Sequence, residues 1–428
     1  MSRRFFIFCS DITKRYGIYI LLTIAFVPAL ITVVTRAYGP VENYGWNILY
    51  YHVGYEAGFG GRKLLASFCH IIFPDFVQLR HIRAMVLAIN FLMVALFALF
   101  FGNCFKKCKE ASFLWMILVF YIIGPFSIVA FMSSGLSVAF TETYQITLTL
   151  LWLIIWMKQR GRWPFYIATL LIAVTCCLIH HTFCCTLFPL YVGLFLYDIF
   201  GRKGLEIKPF VCYGVICSIL LALLILIWKY STMTIDIDQL NDWFNKHVAV
   251  NAYECSREAH NSYYYMTNAE NRASMTSFFT WGRRYGELLC SIILLFPLLV
   301  VMYYPWIRAS HIAPTQLSSW RYRLVWILVT GLTLPIFFIA TDYNRWFVCF
   351  FFSMFAVTIA TLSAGDQLVV GSTKKMLKFF TTHPAVAFAL MIYLFGLHTT
   401  PFDQKNSEYG LQEAIDIWHF TKGVLGIV

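Results

Sequence analysis

Apolar residues run along this chain in long blocks separated by short polar islands. Neither the alternation of a half-buried strand nor the one-sided stripe of a soluble helix dominates, and blocks of about 20 mostly apolar residues read as membrane-crossing helices. About eleven blocks meet that rule, at 16–35, 84–104, 113–132, 141–157, 164–181, 183–200, 209–229, 286–306, 323–341, 346–364 and 384–400. The pattern predicts an all-α, polytopic transmembrane helix bundle forming a single transmembrane domain over 1–428. The pairs 164–181/183–200 and 323–341/346–364 are parted by very short turns and are expected to be helical hairpins. The first block follows the polar, basic segment Met1–Arg15 and is long enough to span, so it reads as a retained helix, not a cleaved leader.

The islands carry an orientation. Basic clusters recur on alternate islands: Arg3, Arg4, Lys14 and Arg15; Lys106, Lys107 and Lys109; Lys158, Arg160 and Arg162; Arg202, Lys203 and Lys208. Arg308, Arg321 and Arg323, then Lys374, Lys375 and Lys378, continue the series. Cytoplasmic loops carry an excess of Lys and Arg, so the amino terminus is expected inside and an odd span count puts the tail outside. Two outer loops are long. In the first, 37–83, the stretch 64–78 is too short to span, is interrupted by Pro74, and fits an interfacial helix. The second, 230–284, is the most polar part of the chain and is expected to form a small helical cap.

Composition strengthens the class. The 428 residues are 60% hydrophobic and only 13% charged, against about 25% charged in a soluble domain. The net charge of +12 would raise nucleic-acid binding in a soluble protein, but here topology accounts for it and no nucleic-acid partner is expected. Thirteen cysteines without regular spacing, most inside apolar blocks, argue against a disulfide framework.

Four polar islands on the outer side carry the candidate chemistry. Tyr55-Glu56-Ala57-Gly58-Phe59-Gly60-Gly61-Arg62-Lys63 sets a carboxylate, three glycines and two adjacent cations before the interfacial helix. Arg62 and Lys63 suit an anionic substrate, and equally suit anchoring by snorkelling. Thr141-Glu142-Thr143 enters the fourth block, where Glu142 is either a site acid or a residue that favours a helix start. His180-His181 lies at one hairpin turn and Asp342-Tyr343-Asn344-Arg345-Trp346 at another. Asp342 and Arg345, i and i+3, either pair as a structural clamp or serve a site. The histidines are open between phosphate or hydroxyl chemistry, a structural role, and a divalent metal with Cys177 or Cys184 four residues away. Glu42 and His52 are weaker candidates. Ionisable residues at such depths usually line a cavity or pair together. No Walker A, Rossmann or HExxH motif is present, which disfavours a nucleotide-driven pump and a zinc protease. Charges are nearly missing from the block centres, which disfavours an ion-coupled transporter.

The arrangement over about residues 1–230 resembles the GT-C class of membrane glycosyltransferases: a first helix, a long outer loop with interfacial helices and an acid, then further spans. YEAGFGGRKLLASF, LIHHTFCCTLFP and TDYNRW are similar to motifs of bacterial polytopic proteins of envelope-polysaccharide loci, including Wzy- and EpsG-type polymerases. His181 stands where that pattern has Glu, which leaves its role open. The resemblance implies a transferase or polymerase in the bacterial inner (plasma) membrane. Its partners would be membrane lipids, a polyprenyl-phosphate-linked sugar donor and a glycan or lipid acceptor. Glu56, Glu142 or Asp342 would act as general base, while Arg62, Lys63, His180, His181 and Arg345 would bind substrate. The alternative is a translocase or transporter of a lipid-linked glycan or other amphiphile.

Overall fold

The computed structural model describes residues 3–39, 44–74, 77–107, 112–201, 204–230, 238–239, 242, 282–339, 342–399 and 410–425. The 230–284 cap, Glu42, Lys109, Arg202 and Lys203 fall wholly or almost wholly outside the described residues.

The described chain is helical apart from a two-stranded ladder pairing Phe200–Gly201 with Gly204–Leu205. In order, the helices are α1 (Arg3–Tyr38), α2 (Leu64–Ile72), α3 (Leu79–Lys107), α4 (Ser112–Ile123), α5 (Ile128–Ser133), α6 (Leu136–Ala139) and α7 (Glu142–Gln159). Then come α8 (Trp163–Ile179), α9 (Phe183–Thr186), α10 (Phe188–Ile199), α11 (Ile207–Tyr230) and α12 (Gly282–Ile312). The chain continues through α13 (Gln316–Ile339), α14 (Tyr343–Ser363), α15 (Gln367–Thr382), α16 (Pro384–Gly396) and α17 (Gln412–Leu425). Seven helical segments among the described residues are long and apolar enough to cross a membrane, or eight if α15 and α16, bent by 99°, count as one span. The chain is thus a multi-pass membrane protein.

Several expected spans take a different form for local reasons. Block 164–181/183–200 is interrupted by a turn at His180–Thr182 and a further break before Pro189, leaving α10 only 12 residues long. At 1.5 Å per residue that is about 18 Å, short of the ~30 Å hydrocarbon core. Helix α7 has 18 residues but a polar first turn. Block 384–400 becomes the 13-residue α16 behind the bend at His383–Pro384. The eleven-span count is therefore not confirmed.

Helix α2 replaces the expected 64–78 segment and ends before Pro74. Leu65, Ala66 and Cys69 face inward, while Phe68, Ile71 and Ile72 remain exposed, an apolar edge of the kind an interfacial helix carries. At the centre lies α14, buried along its whole length and packed against α3, α4, α5, α7, α10 and α13. Its Phe355 stacks on Tyr121 at 4.1 Å and on Phe97 at 5.9 Å. Trp152 of α7 stacks on Tyr191 of α10 at 3.9 Å. This aromatic layer separates two polar ends. Because α14 has 21 residues and α7 has 18, those ends lie about 27–32 Å apart.

Candidate functional site

Three of the predicted residues meet directly. Arg345, in the first turn of α14, donates from Nη1 to Asp342 Oδ2 at 2.7 Å and from Nη2 to Glu142 Oε1. Glu142 opens α7, where the positive end of the helix favours an acid. The guanidinium lies over the rings of Phe140 at 4.0 Å and Trp346 at 4.7 Å. Glu142 is fully buried and Arg345 is 6% exposed, whereas the Asp342 side chain retains 29% exposure. A charge buried this deeply persists only when paired and hydrogen-bonded. The structure shows the clamp of Asp342 and Arg345, and the clamp extends to an acid 203 positions away.

Arg62, His180 and His181 form the adjoining wall. Arg62 takes a left-handed backbone, φ 73°, and its N–H donates to Leu178 O at the end of α8 at 3.1 Å. A non-glycine residue there stores about 1–3 kcal/mol that its surroundings must outweigh. Gly61 makes the approach possible, since a Cβ there would lie 2.7 Å from His181 Nδ1. The rings of His180 and His181 are stacked at 5.3 Å, Tyr50 meets His180 edge-on at 6.1 Å, and Arg62 lies over Tyr50 at 5.9 Å. The two walls are joined through α7: Glu142 meets Arg345, and Gln145 one turn on reaches the histidine turn at His180 O. Thr182 closes on the ring of His180: its backbone N–H lies 3.2 Å from Nδ1, and its hydroxyl meets the same nitrogen. This turn is held by Gln145, whose Nε2 donates to Cys176 O at 3.0 Å and His180 O at 2.7 Å.

Many polar atoms of this cluster are buried without a hydrogen-bond partner among the described residues: Glu142 Oε2, Thr141 Oγ1, Gln145 Oε1, His181 Nδ1, Arg62 Nε and Arg345 Nε. Buried polar groups are normally satisfied, and these six atoms belong to residues at one end of the bundle.

Glu56 and Lys63 stand apart from this cluster. Glu56 Oε1 lies 3.1 Å from His70 Nδ1 of α2 and accepts from Gly54 N at 2.7 Å, closing the glycine loop onto α2. Burial raises the Glu56 carboxyl, but the His70 and backbone hydrogen bonds outweigh it and hold the group below its ordinary value. Lys63 Nζ donates to Gly58 O at 2.8 Å; burial pushes the ammonium down to about 8 against the pull of Glu56. His52, the weaker candidate, is fully buried.

An apolar groove of about 160 Å³ lies between α12, α13 and α14, lined by residues including Leu295, Phe337, Phe347 and Phe351. Its polar wall atoms are spent internally: Tyr303 OH meets Thr330 Oγ1 at 2.6 Å, and Thr333 Oγ1 donates to Val329 O at 2.7 Å. Phe347 is two residues beyond Arg345, so groove and cation sit at the same end of α14.

The opposite end holds a second ionic cluster. Asp366 caps α15 through Leu368 N at 3.0 Å and Val369 N at 3.1 Å, accepts from Tyr197 and Tyr322, and lies 3.7 Å from Arg321. Asp198 accepts from Trp156 Nε1 at 2.9 Å and Tyr213 OH at 2.7 Å. Sequence reading placed the basic residues here but not these acids as their partners.

Gln145, Thr182 and Tyr50 gain positioning roles that sequence reading did not give them. The signal for Gln145 was its spacing, i+3 from Glu142 on the same helix. Among the described residues, no group of three His, Cys, Asp or Glu side chains could hold a metal ion. Comparisons with protein-family models, curated proteins and solved structures found no match.

Proposed function

We propose that this protein is a glycosyltransferase or glycan polymerase that uses a polyprenyl-phosphate-linked sugar. The observation that carries the reading is buried Arg345, held by Glu142 and Asp342 beside Arg62 and the histidine turn, in a cluster rich in unsatisfied polar atoms. A groove at the same end of α14, whose polar wall atoms are internally bonded, suits a hydrocarbon tail. In the proposed setting the chain crosses a bacterial inner membrane about eleven times with a cytoplasmic amino terminus, and the site opens at the outer face.

The chemistry follows from the charges. The acceptor hydroxyl attacks the anomeric carbon, the bond to the phosphate oxygen breaks, and the hydroxyl proton passes to Asp342, the more accessible acid. Arg62 meets the phosphate, with Lys63 behind it, and Arg345 adds a fixed positive field as negative charge develops. One such stabilising donor is worth about 10²–10³ in rate. Glu142 keeps Arg345 oriented. His180, fixed by Thr182 and Gln145, offers a ring nitrogen to the substrate.

Transport is less well supported than transfer. The ionic cluster at the other end is saturated by its own tyrosines, tryptophan and backbone, and an aromatic layer intervenes, whereas a translocation path needs polar continuity. The test is Arg62→Gln in cells lacking the wild-type chain. Loss of the surface glycan with normal membrane accumulation supports the reading; an unchanged glycan profile overturns it.

A further inference from the structure

Two cysteines bracket the histidine turn. Cys177 lies in the last turn of α8, fully buried, and Cys184 lies in α9, partly buried. Their sulfurs are 3.9 Å apart. The intervening backbone is held turn by turn: His180 N–H donates to Cys176 O at 3.0 Å, Phe183 N–H to His180 O at 3.0 Å, and Cys184 N–H to His181 O at 3.2 Å. Two sulfurs 3.9 Å apart across a hydrogen-bonded turn are about 2 Å short of the separation of a disulfide bond.

We propose that Cys177 and Cys184 form a disulfide that staples the turn carrying His180 and His181. This does not depend on the transferase reading, because it rests on the geometry of the two thiols. The Cys184 thiolate, the more accessible of the pair, attacks a sulfur of an external disulfide, low-molecular or protein-borne. One thiolate leaves and takes up the proton that Cys184 gave. Cys177 then attacks Cys184 Sγ in the mixed disulfide, releasing the second thiol with its own proton. Two thiols become one cystine and the donor disulfide becomes two thiols, so electrons and protons balance.

The consequence reaches the site through named contacts. Leu178 O, one residue beyond Cys177, accepts the Arg62 backbone N–H, and His181 packs against Gly61. A staple between residues 177 and 184 would therefore fix the wall on which the strained Arg62 backbone hangs. Regular cysteine spacing could not reveal the pair, because its partners lie in a Cys-Cys-Leu-Ile-His-His-Thr-Phe-Cys-Cys run with several possible pairings.

The experiment uses the full chain, taken from membranes and also after incubation with oxidised glutathione. Free thiols are blocked with a light alkylating reagent in denaturant, the protein is reduced, and newly freed thiols take a heavy reagent before peptide mapping. The expected result is heavy label on Cys177 and Cys184 in at least one of the two samples, and light label on Cys177 in Cys184→Ser. Reductant should also lower the melting midpoint of the crosslinked wild type and leave Cys177→Ser/Cys184→Ser unmoved. Light label on both cysteines in both samples overturns the proposal, as does heavy label on Cys177 that persists in Cys184→Ser.

Discussion

Replacing Arg345 by Met should reveal how strongly the three-residue cluster binds the bundle together. Methionine keeps much of the length that lies between the Phe140 and Trp346 rings but removes the charge. Fully buried Glu142 then loses its only cationic hydrogen-bond donor among the described residues. Breaking a buried pair from one side costs about 3–5 kcal/mol because the remaining charge is left uncompensated. Against a typical stability of about 5–15 kcal/mol that is a large share. Glu142→Gln should cost less, about 1–3 kcal/mol, because Arg345 keeps Asp342 at 2.7 Å. The double variant Glu142→Gln/Arg345→Met buries no isolated carboxylate, so its loss should fall short of the summed single losses by about 1–3 kcal/mol. Equilibrium unfolding of the purified chain gives these energies, and buried thiols such as Cys176 and Cys349 offer a dye-labelling readout of the same transition. Strictly additive losses would refute the reasoning, since they would mean that Arg345 and Glu142 do not interact in the folded protein.

Other outcomes follow from single contacts. Gly61→Ala places a Cβ 2.7 Å from His181 Nδ1, so it should impair function while Gly371→Ala, with open space around it, should not; glycan profiling distinguishes them. Lys63 is depressed by burial to about 8 from the ordinary 10.5. The folded chain thus binds fewer protons than the unfolded one between those values, and stability should rise with pH through that window, a slope that Lys63→Met removes. If the ammonium helps hold phosphate, affinity should fall as pH passes about 8, and Lys63→Arg should shift that limb upward. Glu56 gives a slope of the same sign in a more acidic window: its depressed carboxyl adds stability above the ordinary glutamate range that is lost as pH falls through the depressed value. Glu56→Gln should accordingly destabilise at neutral pH and have little effect in strong acid, as thermal unfolding at both pH values would show.

The sequence displayed much of this molecule, and for physical reasons not all of it. Long apolar blocks could only be helices, so α1, α3, α11, α12, α13 and α14 lie where hydropathy put them. Asp342 and Arg345 sit three apart, and a short-range pair of that kind is legible from spacing alone. The bond from Arg345 to Glu142 is not, because it joins the starts of two helices 203 positions apart. Glu56 had the composition of a site acid, and its contact with His70 was not legible because it is created by the fold-back of α2. Span ends proved least legible around residues 180–189, where two histidines, a threonine and Pro189 break what hydropathy reads as nearly continuous. The groove required three helices and therefore left no mark in any one of them.

The central claim, that one end of this bundle holds the phosphate of a lipid carrier, is tested most directly by binding. The purified wild-type chain and Arg62→Gln would each be offered a polyprenyl phosphate and the corresponding neutral polyprenol, with retention read by native mass spectrometry. The account predicts that the wild type retains the phosphate in preference to the alcohol and that Arg62→Gln, folded and with an unchanged melting midpoint, loses that preference. Equal retention of phosphate and alcohol by the wild type, or undiminished preference in Arg62→Gln, would contradict it.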